Sequence, residues 1–195
     1  MLYSFSFAKH SLKMELEGPA GNLVGNDLEF PDFDPWGFSK EADEEKMFWY
    51  RAAELKHGRI AMLAALGQIT QYYVQLPDEV FNQGDKPFKA LEQVLADRPL
   101  AAAQIVLAIF AVEALGQFKQ IQSDEPGNLG FDPLGLRSDD DELWEKTQLR
   151  ELKNGRLAML AIAGMLYTET LTGNGVLEAW KIGAISPFND GKGIF

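Results

Sequence analysis

The chain has 195 residues, 18 Lys and Arg against 29 Asp and Glu, and a formal net charge of −11. That length suits one domain or a single bundle with tails, and the acidic balance leaves no basic excess to replace phosphate counterions, so no nucleic acid is expected as a partner. With no cysteine and only His10 and His57 as histidines, thiolate nucleophiles, iron–sulfur clusters, cysteine zinc sites and three-histidine metal sites are excluded.

Residues 1–40 are rich in Gly, Pro and Asp without a helical or alternating period, and read as an N-terminal extended arm with turns. From about Glu41 the pattern is helical to about Val74, and Pro77 ends it. A polar loop with Pro77, Gly84 and Pro87 follows. Leu100 to Leu115 is a second apolar run, with Pro99 placed for a first helical turn. Residues 123–137 are turn-rich again, and Ser138 before Asp139, Asp140 and Asp141 signals a helix start. This third long helix runs to about Leu171 and ends at Gly173; Val176 to Ile182 forms a short amphipathic C-terminal helix. Alternating strand patterns are absent, so the fold class is all-α. The domain division is an arm over 1–40, a three-helix domain over 41–183 and a tail over 184–195.

An internal repeat dominates the chain. Glu54-Leu55-Lys56-His57-Gly58-Arg59-Ile60-Ala61-Met62-Leu63-Ala64 returns 97 residues later as Glu151-Leu152-Lys153-Asn154-Gly155-Arg156-Leu157-Ala158-Met159-Leu160-Ala161, identical at nine of eleven positions. Each copy follows a matching turn, Phe33-Asp34-Pro35-Trp36-Gly37 and Phe131-Asp132-Pro133-Leu134-Gly135. The middle helix has no copy, so the unit is a duplicated turn and helix and not a solenoid.

Five residues on a helix turn through about 140°, so Glu54 cannot pair with Arg59 of its own copy. Two copies crossed about a pseudo-two-fold axis solve this: Glu54 meets Arg156 and Glu151 meets Arg59. Gly58, Ala61, Gly155 and Ala158 are small enough to let the backbones approach. About 20 residues cross a bilayer core. Windows of that length at 54–73, 98–117 and 151–170 predict an integral membrane protein with three transmembrane helices, in which reciprocal pairing answers the cost of charge at depth. With the charged helix starts counted on the side they enter from, residues 1–59 and 116–156 hold 13 Lys and Arg, and residues 68–99 and 173–195 hold 5, the bias of the positive-inside rule. Membrane lipids are then expected partners.

His57 and Asn154 each follow their glutamate by three residues, on neighbouring faces of one helix. Imidazole nitrogen, carboxylate and amide oxygen can all ligate a hard cation from one axial side. A Glu–Arg pair is neutral yet keeps a lone pair, which suits a metal macrocycle in lipid.

These two motifs, with the Phe-Asp-Pro turns, resemble the crossed helices of the light-harvesting chlorophyll-binding superfamily, over roughly residues 30–180. The wording around Tyr50-Arg51-Ala52-Ala53-Glu54 is more similar to the chlorophyll a/c, fucoxanthin- or peridinin-type or red-lineage branch than to the green a/b branch. The resemblance implies that Glu54, His57, Glu151 and Asn154 ligate chlorophyll magnesium, with Arg59 and Arg156 as pairing partners. Glu113 on the middle helix matches a further ligand position, its alternative being a helix-end glutamate facing water or headgroups. Gln71 and Gln104 are possible extra ligands or polar lining. Thr168 stands where many members have a glutamine ligand, and Gly183 stands near the usual histidine, so pigments there are missing or differently held.

The resemblance further implies chlorophyll a, chlorophyll c and carotenoids (xanthophylls) as cofactors, and excitation transfer toward a photosystem core beside neighbouring antenna subunits. It places the chain in the chloroplast thylakoid membrane with the N-terminus on the stromal side. No enzyme activity is expected. Two other readings stand beside this one: an energy-dissipating photoprotective member of the same superfamily, and a soluble di-metal carboxylate bundle, suggested by Glu54-x-x-His57 but lacking a second Glu-x-x-His.

Overall fold

The computed structural model describes residues 24–25, 33–74, 77 and 87–183. These form five helices and, among the described residues, no strand: α1 (Glu44–Tyr73), α2 (Pro87–Asp97), α3 (Pro99–Gln122), α4 (Asp141–Thr172) and α5 (Val176–Lys181). The two repeat helices start alike. The Asp43 carboxylate accepts the Lys46 N–H at 2.9 Å ahead of Glu44 and Glu45, and Asp140 accepts the Glu142 N–H at 3.0 Å ahead of Asp141 and Glu142. Each arrangement satisfies an orphan donor and sets acids at the positive end of the helix dipole. Gly173, with φ of 65°, ends α4 in the left-handed conformation that costs glycine least.

One predicted loop is a helix. Pro87, expected in a polar loop, is instead the first residue of α2, where a missing N–H is harmless and the fixed φ is an advantage. The apolar residues Phe88, Leu91, Val94 and Leu95 recur at helical spacing, and the Glu169 carboxylate of α4, itself buried, accepts the Phe88 N–H at 2.8 Å. The start of α4 also differs slightly from expectation: Asp140, not Ser138, is the cap. His10, most of the 1–40 arm and the whole 184–195 tail lie outside the described residues.

Helices α1 and α4 pack on each other through glycine. A Cβ added to Gly58 would lie 2.9 Å from the Gly155 Cα, and one added to Gly155 would lie 3.0 Å from the Gly58 Cα. Backbone therefore touches backbone at the crossing, flanked by buried Ala52, Ala61, Leu152 and Ala158. No large side chain is fully buried among the described residues. The large apolar side chains point outward instead, and do so in register with the repeat: Ile60 and its equivalent Leu157 are 55% and 66% exposed, Leu63 and Leu160 are 71% and 75% exposed. A water-soluble bundle buries such residues; a helix apolar all round belongs in a core or in lipid.

Only α3, among the described helices, combines length and apolarity sufficient to cross a membrane, with a mean hydropathy of 1.9 and 6% of that window buried. Helices α1 and α4 fall short because each carries its Glu, Lys and Arg within the same stretch as its apolar residues. At 1.5 Å per residue, their 30 and 32 residues nevertheless extend about 45 and 48 Å.

Candidate pigment-binding site

The crossed pair brings the duplicated charges together as the spacing predicts. Arg156 Nε donates to Glu54 Oε1 at 2.7 Å, and Arg59 Nε donates to Glu151 Oε1 at 2.6 Å. Each guanidinium spends a second donor on a loop. Arg156 Nη1 donates to the Gly25 carbonyl at 2.9 Å, and Arg59 Nη1 to the Gly127 carbonyl at 2.8 Å. The two loop glycines are equivalent in space: Gly25 (φ 99°) leaves no room for a Cβ beside Leu152, and Gly127 (φ 78°) leaves none beside Leu55. Leu55 and Leu152 are themselves repeat partners. Gln120, buried at the end of α3, fixes the Gly127 loop by accepting the Gly127 N–H at 2.8 Å and donating to the Glu125 carbonyl at 3.2 Å.

The neighbouring donors are equally matched. His57 Nδ1 lies 2.7 Å from the Ala53 carbonyl, and Asn154 Nδ2 donates to the Arg150 carbonyl at 2.8 Å. A carbonyl only accepts, so Nδ1 carries a proton, and in the neutral ring Nε2 is the nitrogen left with a lone pair. With Nδ2 occupied in this way, Oδ1 is the Asn154 atom able to act as a ligand. Both side chains are exposed on apolar helix faces. A ring fixed by one nitrogen and open at the other is how metal-binding histidines are held. A single outward donor atom per side chain suits a metal with one free axial position, which a magnesium macrocycle presents; the residues present fit that group.

Glu113 is also found in a neutral pair. Lys56 Nζ of α1 donates to Glu113 Oε2 of α3 at 2.7 Å, leaving Oε1 outside this contact. The carboxylate thus faces a cation on another helix, and not simply water or headgroups. Gln71 lies near the end of α1, about 25 Å along the helix from Glu54, and Gln104 is exposed on α3; neither joins this cluster. The Thr168 hydroxyl donates to the Gly164 carbonyl at 2.9 Å. Gly183, with φ of 76°, lies just past α5. No group of three or more His, Asp or Glu able to hold a metal ion occurs among the described residues.

The two Phe-Asp-Pro turns are built identically. Asp34 accepts the Phe38 and Ser39 N–H groups at 3.0 and 2.7 Å, and Asp132 accepts those of Leu136 and Arg137, both at 2.9 Å. Hydrogen bonds from the Ser39 side chain and backbone hold the Asp34 carboxyl below the ordinary aspartate value of 3.8, and the Arg137 and Leu136 N–H groups do the same for Asp132.

Three side chains at the site have roles that the repeat alone does not assign. Arg51 Nη1 lies 2.9 Å from Glu54 Oε2, close enough for the charges to interact but out of line for a hydrogen bond. Its spacing of three from Glu54 is legible in sequence. The roles of Lys56 and Gln120 are not, since their partners lie on other elements.

Such an all-helical pair, crossed at glycine, meets each duplicated carboxylate with an arginine of the other helix, and defines a scaffold for metal-centred ligands held outside the protein's own packing. The chain belongs to the chlorophyll a/b-binding family: the family described as "Chlorophyll A-B binding protein" matches residues 13–170. It is 56% identical over 193 residues to a fucoxanthin-chlorophyll a-c binding protein of Chattonella marina var. antiqua, covering 97% of this chain and 88% of the relative. It is 34% identical over 180 residues to a protein of the same description from Isochrysis galbana, with 80% and 77% covered. It is 36% identical over 159 residues to light-harvesting complex stress-related protein 1 of Chlamydomonas reinhardtii, with 75% and 63% covered.

Proposed function

We propose that this chain is a light-harvesting antenna apoprotein that binds chlorophyll a, chlorophyll c and carotenoids and serves a photosystem in the thylakoid membrane. The observation that carries this reading is the pair of reciprocal Glu–Arg contacts at a glycine crossing, each beside an outward nitrogen or oxygen donor. The greater identity to a fucoxanthin-chlorophyll a-c binding protein than to a stress-related relative supports harvesting over dissipation.

In this reading α1, α3 and α4 span the bilayer and the N-terminus is stromal. Cross-pairing supports the two charged spans, because a hydropathy count treats Glu54, Arg59, Glu151 and Arg156 as four separate ions, although they form two neutral contacts. From Glu54 to Tyr73 is about 30 Å of helix, the thickness of a hydrocarbon core. The domain is 41–183, between an arm over 1–40 and a tail over 184–195. The outward Ile60, Leu63, Leu157 and Leu160 are covered by lipid and pigment, and exposed Trp36, Tyr73, Phe131 and Trp180 suit the interfacial belt.

Bound chlorophylls and carotenoids supply light absorption and excitation transfer. The chain supplies attachment and spacing. Glu54, His57, Glu113, Glu151 and Asn154 would hold the magnesium of bound chlorophylls; Arg59, Arg156 and Lys56 pair with the carboxylates; Gly58 and Gly155 set the approach of the two helices that carry them. Photosystem core and neighbouring antenna subunits are the protein partners. No bond-making residue enters this role.

The test is refolding with chlorophyll a, chlorophyll c and carotenoid. The expected product shows bands of all three, and exciting chlorophyll c or carotenoid yields chlorophyll a emission. A colourless folded protein overturns the reading.

A further inference from the structure

The two halves of the site are not equal. Glu54 receives two guanidinium groups, Arg156 at 2.7 Å on Oε1 and Arg51 at 2.9 Å on Oε2. Glu151 receives Arg59 at 2.6 Å on Oε1, and no second cation lies on it among the described residues. The repeat explains the difference: the residue 97 positions after Arg51 is Gln148, which carries no charge. Arg51 is held in place, its side chain 12% exposed, so its position is set by packing and not by solvent.

A carboxylate binds magnesium through electron density on the oxygen it does not share. At Glu151 that oxygen is Oε2. At Glu54 the corresponding oxygen faces a guanidinium, which draws density away and repels a second cation. The Glu151–Arg59 contact is neutral, whereas the Glu54–Arg156–Arg51 group carries a net positive charge. Both effects act in one direction, and the partners of a metal ligand set how strongly it binds.

We propose that Arg51 is a positioning and tuning residue that makes Glu54 the weaker of the two pseudo-equivalent magnesium ligands. This inference rests on the antenna reading above. Because of it, the chlorophyll at Glu54 exchanges faster than the one at Glu151, although the eleven-residue motifs around both are nearly identical.

The test exchanges the two residues, so that each variant carries what the other half already has. Refolded pigment complexes of wild type, R51Q, Q148R and R51Q/Q148R are diluted into pigment-free detergent, and chlorophyll loss is followed by absorption. Paired deletions, E54V/R156L and E151V/R59L, each remove one band and so mark the two pigments. In R51Q the Glu54 pigment should leave about tenfold more slowly, the lower end of outer-shell effects on metal affinity. In Q148R the Glu151 pigment should leave about tenfold faster, and the double exchange should invert the wild-type order. Faster loss of the Glu54 pigment in R51Q with unchanged helical circular dichroism would mean that Arg51 merely supports the fold, and overturns the proposal. Unchanged kinetics in Q148R overturns it as well, and that arm stands even if R51Q does not fold. Wild-type protein that takes up no chlorophyll defeats the antenna reading itself, an outcome distinct from either.

Discussion

Arg59→Leu should damage assembly more than Arg156→Leu, although the two arginines occupy the same position in the repeat. Removing Arg59 leaves the Glu151 carboxylate with no cation among the described residues and strips the Gly127 carbonyl of its 2.8 Å donor. With α1 and α4 in the bilayer as proposed, breaking this pair by removing one partner costs about 3–5 kcal/mol, because the remaining ion is uncompensated. Removing Arg156 leaves Arg51 still 2.9 Å from Glu54. What is lost there is the charge-assisted hydrogen bond to Oε1, about 1.5–3 kcal/mol, with the bond to Gly25. The difference is about 2 kcal/mol, or about thirtyfold in the folded-to-unfolded ratio at about 1.4 kcal/mol per decade. Denaturation of the refolded pigment complexes in a graded series of SDS measures it. The compensating variant E151L/R59L should recover much of the loss, since an apolar pair of similar size replaces an ion pair at little cost. If R156L proves as harmful as R59L, Arg51 does not stabilise Glu54 and the reasoning fails.

Three further outcomes are expected. Gly58→Ala places a methyl 2.9 Å from the Gly155 backbone, which cannot move aside as a side chain can; it should destabilise the complex by about 1–3 kcal/mol in the same denaturation series, while Gly67→Ala, with nothing within 4 Å, should be neutral or slightly stabilising. His57→Ala and Asn154→Ala should each lose one chlorophyll per protein by pigment extraction, with helical content retained. Asp132→Asn should remove an acid-sensitive step from the second turn: because the folded carboxyl titrates below 3.8, its contribution is present above that pH and is lost as pH falls through the lower folded value. Hydrogen exchange at Leu136 and Arg137 across an acid series follows that step in the wild type and should show none in the variant.

Helix positions were legible in sequence because their causes are local. Asp43, Asp140, Pro99 and Gly173 act on their own chain neighbours, and the boundaries of α1 and α4 fall within three residues of those expected from periodicity. Helix α2 is not legible in sequence because a proline is at home both in a loop and at a first helical position, and the Glu169 carboxylate that receives the Phe88 N–H lies 81 positions away. The glycine crossing and the reciprocal Glu–Arg contacts were legible for a different reason. A duplicated motif that cannot pair within one helix leaves a symmetric partner as its natural solution.

By itself, the sequence determined an all-helical duplicated chain, the identity of its outward donors and the exchange of charge between copies. Tertiary structure alone decided that Lys56 reaches Glu113, that Gly25 and Gly127 serve as matching carbonyl anchors, and that α2 seats on α4. It also gave Arg51 its consequence: the spacing to Glu54 is local, but only the crossing puts Arg156 on the other oxygen. The division follows from range. A spacing of three or four residues is fixed by the 3.6-residue turn, whereas contacts spanning 57 to 131 residues depend on where two backbones meet and at what separation.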